Sequence, residues 1–471
     1  MKATKHIIWM AALVLTAATW SACSNKDELT VTEQPAQTRT FTVSTTISPR
    51  DGVVATRSTM TDNGDGSISA AWEVDDQIWV QYTNTSDISE ETTATVTAVD
   101  PSTKAATITL TLTDPKDGGV ITFGYPAGFF NDPKDVCNDQ TGTLDDINAN
   151  FAAISGTETM TVSGSDVTLP AVTMMPAMCI WKFSFTDGTD DITSAITKLV
   201  IDIPDPGYHW TYEVTPSSLS NIYVALYGDV VVAQPISITA ETGTGVYRKA
   251  AASVTLDAGY TYTTTGFALN KAEVGKVFGA DGNIYDNATT ATTAGTSAVA
   301  MITYVGSDNC ESSPYNHGLA LALSDANGGS NCAWTTSSGS TVHSQIYSTS
   351  SFTSESGLQY NDATHDSDTY PAFKYAIANN GTVAPLGCSA WFLASGCQWD
   401  QMISAAGGYN ALRSGFEVVG GTNMQGVNYW SSTEKSDYYA WTYYFFSGVG
   451  GGKWAECSKL DGYYVRSALA F

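Results

Sequence analysis

The residues best suited to binding chemistry lie near the C-terminus, in the string NYWSSTEKSDYYAW (428–441). It places Glu434 and Asp437 beside Tyr438 and Tyr439. Carboxylates next to exposed aromatic rings suit sugar recognition, because carboxylates accept hydrogen bonds from hydroxyl groups and rings stack on apolar sugar faces. We therefore predict a ligand loop at these four residues.

A structural interpretation of the same string stays open. Trp430 and Trp441 can belong to a hydrophobic core, with the acidic residues in a solvated loop between them. Asp461 is open to the same two interpretations.

Catalytic chemistry has little support in the sequence. The five histidines are His6, His209, His317, His343 and His365. None lies in an HExxH motif or beside a nucleophile elbow, and no Walker or GxGxxG string has the expected flanks. We expect neither enzyme activity nor a cofactor.

The cysteines indicate disulfides rather than metal binding. Besides Cys23, the chain has Cys137, Cys179, Cys310, Cys332, Cys388, Cys397 and Cys457. Spacing favours a disulfide between Cys310 and Cys332, in keeping with an exported protein. A second pair is expected among Cys388, Cys397 and Cys457, and a Cys137–Cys179 pair stays open. No CxxC string is present, so a zinc site is not expected.

Composition indicates a β-rich, acidic protein of about three domains. The chain has 471 residues, 14% of them charged, and a net charge of -26. It shows no basic cluster of the kind that binds phosphate, so nucleic acid is not an expected partner.

Residues 1–22 are predicted to be a signal peptide. Lys2 and Lys5 precede an apolar core at 7–18 that is too short to span a membrane. The core ends in Trp-Ser-Ala before Cys23, which resembles the bacterial lipobox and implies lipidation of that cysteine. Ordinary cleavage with an incidental thiol is the alternative.

Residues 23–40 are predicted to be a lipidated, flexible tether. Lys26, Asp27 and Glu28 resemble the lipoprotein export signal of Bacteroidota-type bacteria. This resemblance implies an outer-membrane lipoprotein displayed at the cell surface. A merely polar tether is the alternative.

The first half of the chain alternates apolar and hydroxyl residues with the period of a β-strand. TFTVSTTI (40–47) and AATITLTLT (105–113) follow this pattern. The string DNGDG (62–66) is predicted to be a tight turn, because the glutamate that would close an EF-hand calcium loop is missing. The fold class is therefore expected to be mainly β.

Three strings resemble the fimbrillin-like surface lipoproteins of Bacteroidota-type bacteria. They are ATRSTM (55–60), AWEVDDQIWV (71–80) and VTLPAVTMMPAMCIWKFSF (167–185). The resemblance implies two transthyretin-like β-sandwiches, at 41–175 and 176–269.

The same resemblance implies a route of assembly. In polymerising members a cut after an arginine removes the first strand, and a strand from a fimbrillin subunit fills the groove by β-augmentation. Arg50 and Arg57 are the candidate cleavage residues here, since a cut at either would release Phe41–Ile47. The alternative is that both are solvated loop arginines.

Residues 270–471 resemble an α+β, C-type-lectin-like domain related to the formylglycine-generating enzymes. The strings SAWFLASGCQWDQM (389–402), NYWSSTE (428–434) and DGYYVRSALAF (461–471) carry this resemblance. It implies a strand leading into a helix near 398–406 and a closing strand that contains Arg466. The calcium-binding pattern of such lectins is missing, so calcium has no motif in its favour, and no cysteine follows Cys457 to support an oxidase.

Together these features predict a cell-surface, adhesin-like lipoprotein. Our first hypothesis is a fimbrial tip or accessory subunit that accepts a donor strand from a fimbrillin and presents a lectin-like domain to a glycan or protein ligand on a host or neighbouring bacterium. The position of that domain at the C-terminus favours a tip or accessory subunit over a stalk subunit. The second is a permanently anchored, non-fimbrial glycan-binding lipoprotein, and the third is an enzyme of the formylglycine-generating class.

Overall fold

The computed structural model describes residues 39–49, 59–62, 68–125, 139–151, 154–176, 178–204, 209–227, 230–337, 339, 343–352, 355–446, 448 and 451–471. All the elements below belong to one unit, Thr40–Phe471. The predicted lipidation residue, export signal and cleavage residues (Cys23, Lys26, Asp27, Glu28, Arg50 and Arg57) lie outside the described residues, as does Cys137. Within the described ranges, no helix has the length and apolar character needed to cross a membrane.

The first part of the unit is a closed β-sheet. The strands are β1 (Thr40–Pro49), β2 (Thr59–Asp62), β3 (Ile68–Ala71), β4 (Gln77–Thr83), β5 (Ser89–Val99), β6 (Ala106–Thr113), β7 (Val120–Tyr125), β8 (Ile154–Thr159), β9 (Thr161–Ser163), β10 (Asp166–Thr168) and β11 (Val172–Pro176). Seven of them are ordered β1-β11-β8-β7-β4-β5-β6, and β1 joins the two ends. The pairs β2–β3 and β9–β10 form separate hairpins, and a short helix α1 (Leu144–Asp146) runs into a π-helical turn, Ile147–Phe151.

Residue alternation decides which face of this sheet is buried. In β6 the side chains of Ala106, Ile108, Leu110 and Leu112 point into the core, while the threonines between them face outwards or lie half-buried. Successive side chains of a strand point to opposite faces, so the apolar set of each strand converges on one interior. The mainly β fold expected from the sequence is confirmed.

The second part consists of two packed sheets. The strands are β12 (Met178–Thr186), β13 (Ile196–Pro204), β14 (His209–Val214), β15 (Ile222–Tyr227), β16 (Val230–Thr242), β17 (Gly245–Leu256), β18 (Thr261–Ala268) and β19 (Asn270–Lys271). Three are ordered β15-β12-β18 and five are ordered β14-β13-β16-β17-β19. Trp181, Phe183 and Phe185 on β12 stack in succession in the core, with ring centroids 4.5 and 5.1 Å apart.

Gln140 is one of the residues that join the first part to the second. The fully buried Gln140 side chain donates to the Ala225 carbonyl at 2.9 Å and accepts from the Ala225 N–H at 2.8 Å. Its backbone carbonyl accepts from the Thr215 N–H at 2.7 Å. At Ala225, Gln140 therefore supplies β15 with the hydrogen-bond partners that a neighbouring strand would otherwise supply.

The third part mixes helices with two sheets. Its elements are β20 (Val277–Gly279), β21 (Ile284–Tyr285), α2 (Ala288–Thr293), β22 (Ala298–Val305), β23 (Gly318–Ala322), α3 (Pro371–Ala378), β24 (Phe392–Leu393), α4 (Gly396–Ala405), α5 (Tyr409–Val418), β25 (Asn428–Glu434), β26 (Tyr439–Tyr444), β27 (Lys453–Ser458) and β28 (Ser467–Ala470). Six strands are ordered β21-β20-β22-β23-β28-β24, and the second sheet is β25-β26-β27.

Local sequence explains where α4 begins. The Ser395 hydroxyl accepts a hydrogen bond from the Gln398 N–H, and the Gln398 side chain accepts from the Ser395 N–H, which completes a capping box. The helix then buries Trp399 and Met402 against the sheet. The strand and helix expected around 391–406 are thus present as β24 and α4.

A buried arginine organises the centre of the third part. The Arg466 guanidinium donates to Asp325 at 2.7 Å and to the carbonyls of Ala322 and Thr422 at 3.0 and 3.1 Å, and it lies over the Phe416 ring. Arg466 was expected on the closing strand, but β28 begins one residue later. Its side chain holds the start of β28 against the preceding loops.

The disulfide differs from the sequence-based expectation. Cys310 is bonded to Cys397, whereas Cys332 is free, as are Cys388 and Cys457 among the described residues. The partners are 87 residues apart in the chain. They meet because the first turn of α4 faces the loop before β23, a proximity that sequence spacing does not encode.

The second and third parts share an interface. The buried Arg248 side chain on β17 donates to the Leu386 carbonyl at 2.9 Å and lies over the Phe278 ring. The Ala250 N–H donates to the Asn283 side chain at 2.9 Å. These contacts are polar and buried, so they restrict the position of the third part relative to β17.

Replacing Gln140 with alanine should destabilise the junction of the first two parts. The change leaves the Ala225 N–H and carbonyl buried without partners, which predicts a loss of about 2 kcal/mol or more in the free energy of unfolding. Urea unfolding followed by tryptophan fluorescence measures it. Gln77→Ala, at an exposed side chain that makes comparable hydrogen bonds, is the control, and equal effects of the two changes would contradict the assignment.

Candidate functional site

Glu434 does not lie in an exposed loop, and this corrects the sequence-based prediction. It is the last residue of β25, and its side chain is fully buried. The carboxylate pairs with the Lys459 ammonium and accepts the His343 backbone N–H at 2.6 Å. Because β25 is almost entirely buried, the carboxylate faces the interior and is unavailable to a ligand at the surface.

Asp437 and Tyr438 lie in the turn between β25 and β26, Tyr439 is the first residue of β26, and all three remain accessible. Tyr438 is 59% exposed and Tyr439 is 44% exposed, while Asp437 is half-buried. The turn closes through the N–H groups of Lys435 and Ser436, which donate to the Tyr439 carbonyl at 2.9 and 3.0 Å. Three of the four predicted loop residues therefore share one surface turn.

A second segment, residues 343–347, lies alongside this turn. The Gln345 side-chain amide donates to Asp437 Oδ1 at 2.6 Å, and the Tyr347 hydroxyl donates to the Gln345 side-chain oxygen. Tyr347 is 68% exposed. We refer to Gln345, Tyr347, Asp437, Tyr438 and Tyr439 as the tyrosine platform.

Sequence reasoning missed Gln345 and Tyr347. Gln345 and Asp437 are separated by 92 residues, and no local pattern links them. The available signal was an isolated tyrosine in a polar string, HSQIYSTSS (343–351), which is compatible with any exposed loop. The predicted site thus gains two residues and loses Glu434.

The platform is held from below by a buried cation. Lys459 is fully buried, and its ammonium donates to the Asp437 carbonyl at 3.1 Å as well as pairing with Glu434. The ammonium also lies 4.9 Å from the centroid of the Trp334 ring. An ion pair buried in this way, with further hydrogen bonds to both partners, fixes the backbone of the turn.

The segment 343–347 is attached to the same framework. The Ile346 N–H donates to the Glu434 carbonyl at 2.9 Å, and the Trp441 indole N–H donates to the Ile346 carbonyl at 2.7 Å. The backbones of both halves of the platform are therefore attached to β25 and β26, which reduces the ordering that ligand binding would require.

A histidine pair lies beneath this region. His343 Nε2 and His365 Nε2 are 2.9 Å apart, and both rings are buried. His343 stacks on Tyr360 with ring centroids 3.6 Å apart. Burial, together with the nearby charges of His365 and Lys459, lowers the pKa of His343 to about 3 against the opposing hydrogen bond to Ser432 and the charge of Asp362.

A half-buried glutamate, Glu355, lies next to the same region. Burial raises the pKa of Glu355 above its ordinary value, although hydrogen bonds from Thr433 and Tyr360 oppose the shift. The charge of nearby Glu434 also raises it. Glu355 therefore accepts hydrogen bonds from Thr433 and Tyr360 and ties them to the framework at β25.

The side chains of the tyrosine platform are of the types that bind ligands through hydrogen bonds and ring contacts. Three exposed tyrosines belong to the two segments that carry a carboxylate and an amide hydrogen-bonded to each other. Such groups accept and donate hydrogen bonds to hydroxyls while the rings offer apolar faces. Over the described ranges, no three His, Cys, Asp or Glu side chains converge in a way that could hold a metal ion. Asp461 is exposed, and it contributes to none of these contacts.

Replacing Lys459 with methionine should destabilise the third part strongly. The change leaves the Glu434 carboxylate buried without its partner, which predicts a loss of about 3–5 kcal/mol. The double variant Lys459→Met, Glu434→Gln removes the orphaned charge and should recover much of the loss in chemical denaturation. Lys116→Met breaks an exposed pair with Asp87 and serves as the control, for which little change is expected. A loss for Lys459→Met as small as that of the control would contradict the assignment.

The comparisons with known proteins are limited to distant structural likeness. No family model matches the chain, and no curated protein matches it. A protein of Bacteroides uniformis, provisionally classed as a cell adhesion protein, is 15% identical with a TM-score of 0.28, covering 48% of this chain and 98% of its own. Proteins described in the same way from Parabacteroides distasonis and Bacteroides fragilis are 6% and 11% identical, each with a TM-score of 0.26. They cover 50% and 47% of this chain and 94% and 92% of their own. TM-scores this low do not establish a shared fold, so the function has to be argued from the geometry of this chain.

Proposed function

We propose that this protein is an adhesin-like lipoprotein of a bacterial cell surface. In this proposal it is anchored through Cys23, accepts a donor strand from a fimbrillin subunit in its first sheet, and presents the tyrosine platform of a C-type-lectin-like third domain to a glycan. The observation that carries the proposal is the position of β1, which closes the first sheet between β6 and β11 and is followed by the segment that contains Arg50 and Arg57.

The pairing of β1 is unequal on its two sides. Eight residues, Thr40 to Ile47, pair antiparallel with β6, whereas only Ile47–Pro49 pair with β11, in parallel. Every other pairing within the closed sheet is antiparallel. Removal of β1 would open the sheet and leave a groove with unpaired backbone groups along its β6 edge, which is the template for β-augmentation.

The buried face of β1 gives the groove its specificity. Phe41, Val43 and Ile47 are almost completely buried in the core of the first sheet. Burying each such side chain is worth about 1.5–3 kcal/mol, so the emptied groove favours a strand with apolar residues at alternate positions. Thr45 lies on the same buried face and donates to the Pro170 carbonyl at 2.6 Å, so the groove also accepts a hydroxyl at that position, whereas Thr40 and Thr42 are exposed.

The strand that follows β1 in the chain, β2, contacts the second part of the protein. On β2, Met60 is buried against residues of the first and second parts. The Asp62 carboxylate pairs with Lys182 and accepts a hydrogen bond from the Tyr223 hydroxyl at 2.6 Å. A cut at Arg50 or Arg57 would therefore separate β1 from a β2 strand that remains held.

The tyrosine platform supports glycan binding as the second half of the proposal. Its rings and its linked amide and carboxylate match the faces and hydroxyl groups of a sugar. No charged group other than Asp437 belongs to the platform, and the chain carries a net charge of -26, so we expect a neutral glycan rather than an anionic one.

A permanently anchored glycan-binding lipoprotein is the second candidate. It is favoured by the pairing of β1 with both β6 and β11, which closes the sheet with a strand of this chain. The two candidates differ in a single step, the release of β1.

Cleavage by an arginine-specific protease should distinguish the two candidates. We expect a new N-terminus at Asp51 or Ser58, followed by release of β1 and binding of a synthetic TFTVSTTISP peptide as a substitute donor strand. The same peptide with aspartate in place of its valine (Val43→Asp) is the matched control and should not bind. The double variant Arg50→Ala, Arg57→Ala should abolish release, whereas Arg39→Ala should not, since Arg39 precedes β1. Resistance at both sites would favour permanent anchoring.

Glycan arrays should identify ligands that depend on the platform. We expect binding that is unchanged by a calcium chelator and weakened about tenfold or more by Tyr438→Ala or Tyr347→Ala, because each change removes a stacking face. Tyr260→Ala, at a half-exposed tyrosine in the second part, is the control. Equal binding by all three variants would contradict a platform site.

A further inference from the structure

The hydrogen bonds of the His343–His365 pair require more protons than two neutral rings carry. His343 Nδ1 lies 3.1 Å from the Ser432 carbonyl, which can only accept, so this nitrogen carries a proton. His343 Nε2 is then the unprotonated nitrogen of a neutral ring, and His365 Nε2 must donate to it across 2.9 Å. His365 Nδ1 faces the Asp362 carboxylate at 2.8 Å and must donate as well.

The count gives three protons on two rings. A neutral pair has only two, and it would either bring two lone pairs together at 2.9 Å or leave Ser432 or Asp362 facing an unprotonated nitrogen. We propose that the pair binds one additional proton, carried by His365 and shared towards His343, and that this proton locks the turn Asp362–Asp366 against the third part.

The charged and titratable groups around the pair favour one proton and oppose a second. Asp362 balances the charge on His365, and the N–H groups of His365 and Thr364 hold that carboxylate in place at 3.0 and 2.9 Å. Although burial opposes it, these contacts and the His365 ring lower the pKa of Asp362 from its ordinary value. A second proton on His343 is opposed by burial, by the charge already on His365 and by Lys459.

Other polar groups packed around the pair are already engaged. Glu434 accepts the His343 backbone N–H and neutralises Lys459. The Tyr360 hydroxyl, on the ring stacked against His343, donates to Glu355 at 3.1 Å. The Tyr370 ring lies 5.2 Å from the His365 ring. Asp362 is thus the carboxylate that contacts an imidazole nitrogen of the pair.

Loss of the shared proton should open the turn rather than the buried side. Ser432 and the His343 ring are enclosed, and breaking their contact would leave a buried carbonyl without a partner. The Asp362 side chain is 41% exposed and can turn to water. If it does, the Thr364 N–H loses its acceptor and the His365 N–H keeps only the Asp362 backbone carbonyl, at 3.1 Å, so the turn loosens.

The direction with pH follows from this arrangement. The lock is present at acidic pH, where the pair holds its additional proton, and it is lost as the pH rises through the titration of His365. The experiments below compare pH 5 with pH 8.5, one on each side of the value of about 6.5 for a free imidazole.

Nuclear magnetic resonance of the full chain labelled with ¹⁵N-histidine tests the proton count. At low pH we expect both nitrogens of His365 but only Nδ1 of His343 to carry protons, and His365 alone to lose one as the pH rises. His343→Gln and His365→Gln assign the signals. Full charging of His343 in the same range, or two neutral rings at pH 5, would overturn the proposal.

Amide hydrogen exchange tests the lock itself. After correction for the intrinsic pH dependence of exchange, the N–H groups of Thr364, His365 and Asp366 should exchange about tenfold or more faster at pH 8.5 than at pH 5, in line with the loss of a charged hydrogen bond. His365→Gln keeps a donor towards His343 but cannot titrate, so it should remove the pH dependence.

A pair of carboxylate variants keeps the test decisive if the glutamine variant fails to fold. Asp362→Asn preserves the acceptor but removes the charge, and it should lower the titration midpoint of His365 by roughly one pH unit. Asp366→Asn makes the same change of charge in the same turn, away from the ring, and should leave the midpoint nearly unchanged. Equal midpoints for the two variants would overturn the proposal.

Discussion

The constraint on which this structure depends is that buried strand edges must have hydrogen-bond partners. In the first sheet β1 meets it by pairing with both β6 and β11. At the next junction the Gln140 side chain meets it by bonding both backbone groups of Ala225. In the third part the Phe471 carbonyl accepts the N–H groups of His317 and Gly318. The solution at β1 is the one that a strand from another chain could reproduce, and this connects the fold to the proposed assembly.

Buried charge organises the third part in a complementary way. Arg466 with Asp325, Lys459 with Glu434, and the His343–His365 pair each join segments that are distant in the sequence. Paired charges of this kind contribute little net stability compared with apolar packing, but they disfavour arrangements in which a partner is lost. The Lys459–Glu434 pair thereby sets the position of the turn that carries Tyr438 and Tyr439, although neither of its charges reaches the surface.

The sequence-based predictions are accurate for features that neighbouring residues determine, and they fail for features that depend on residues far apart in the chain. Strand alternation in AATITLTLT acts within a few residues, and it has the expected structural consequence. The Cys310–Cys332 prediction was wrong because the position of α4, not the spacing of the cysteines, brings Cys397 to Cys310. The prediction of an exposed loop at Glu434 was wrong because the burial of this residue depends on its pairing with Lys459. Lys459 follows Glu434 in the chain only after β26 and β27.

The sequence by itself determined the mainly β architecture and the approximate location of a surface turn rich in tyrosine, because side-chain periodicity and turn residues act locally. Only the tertiary structure decided that β1 closes the first sheet, that Gln345 and Tyr347 join Asp437, and that two distant histidines meet at 2.9 Å. These are contacts between segments far apart in the chain. Their formation depends on the packing of whole sheets, which no short stretch of sequence specifies.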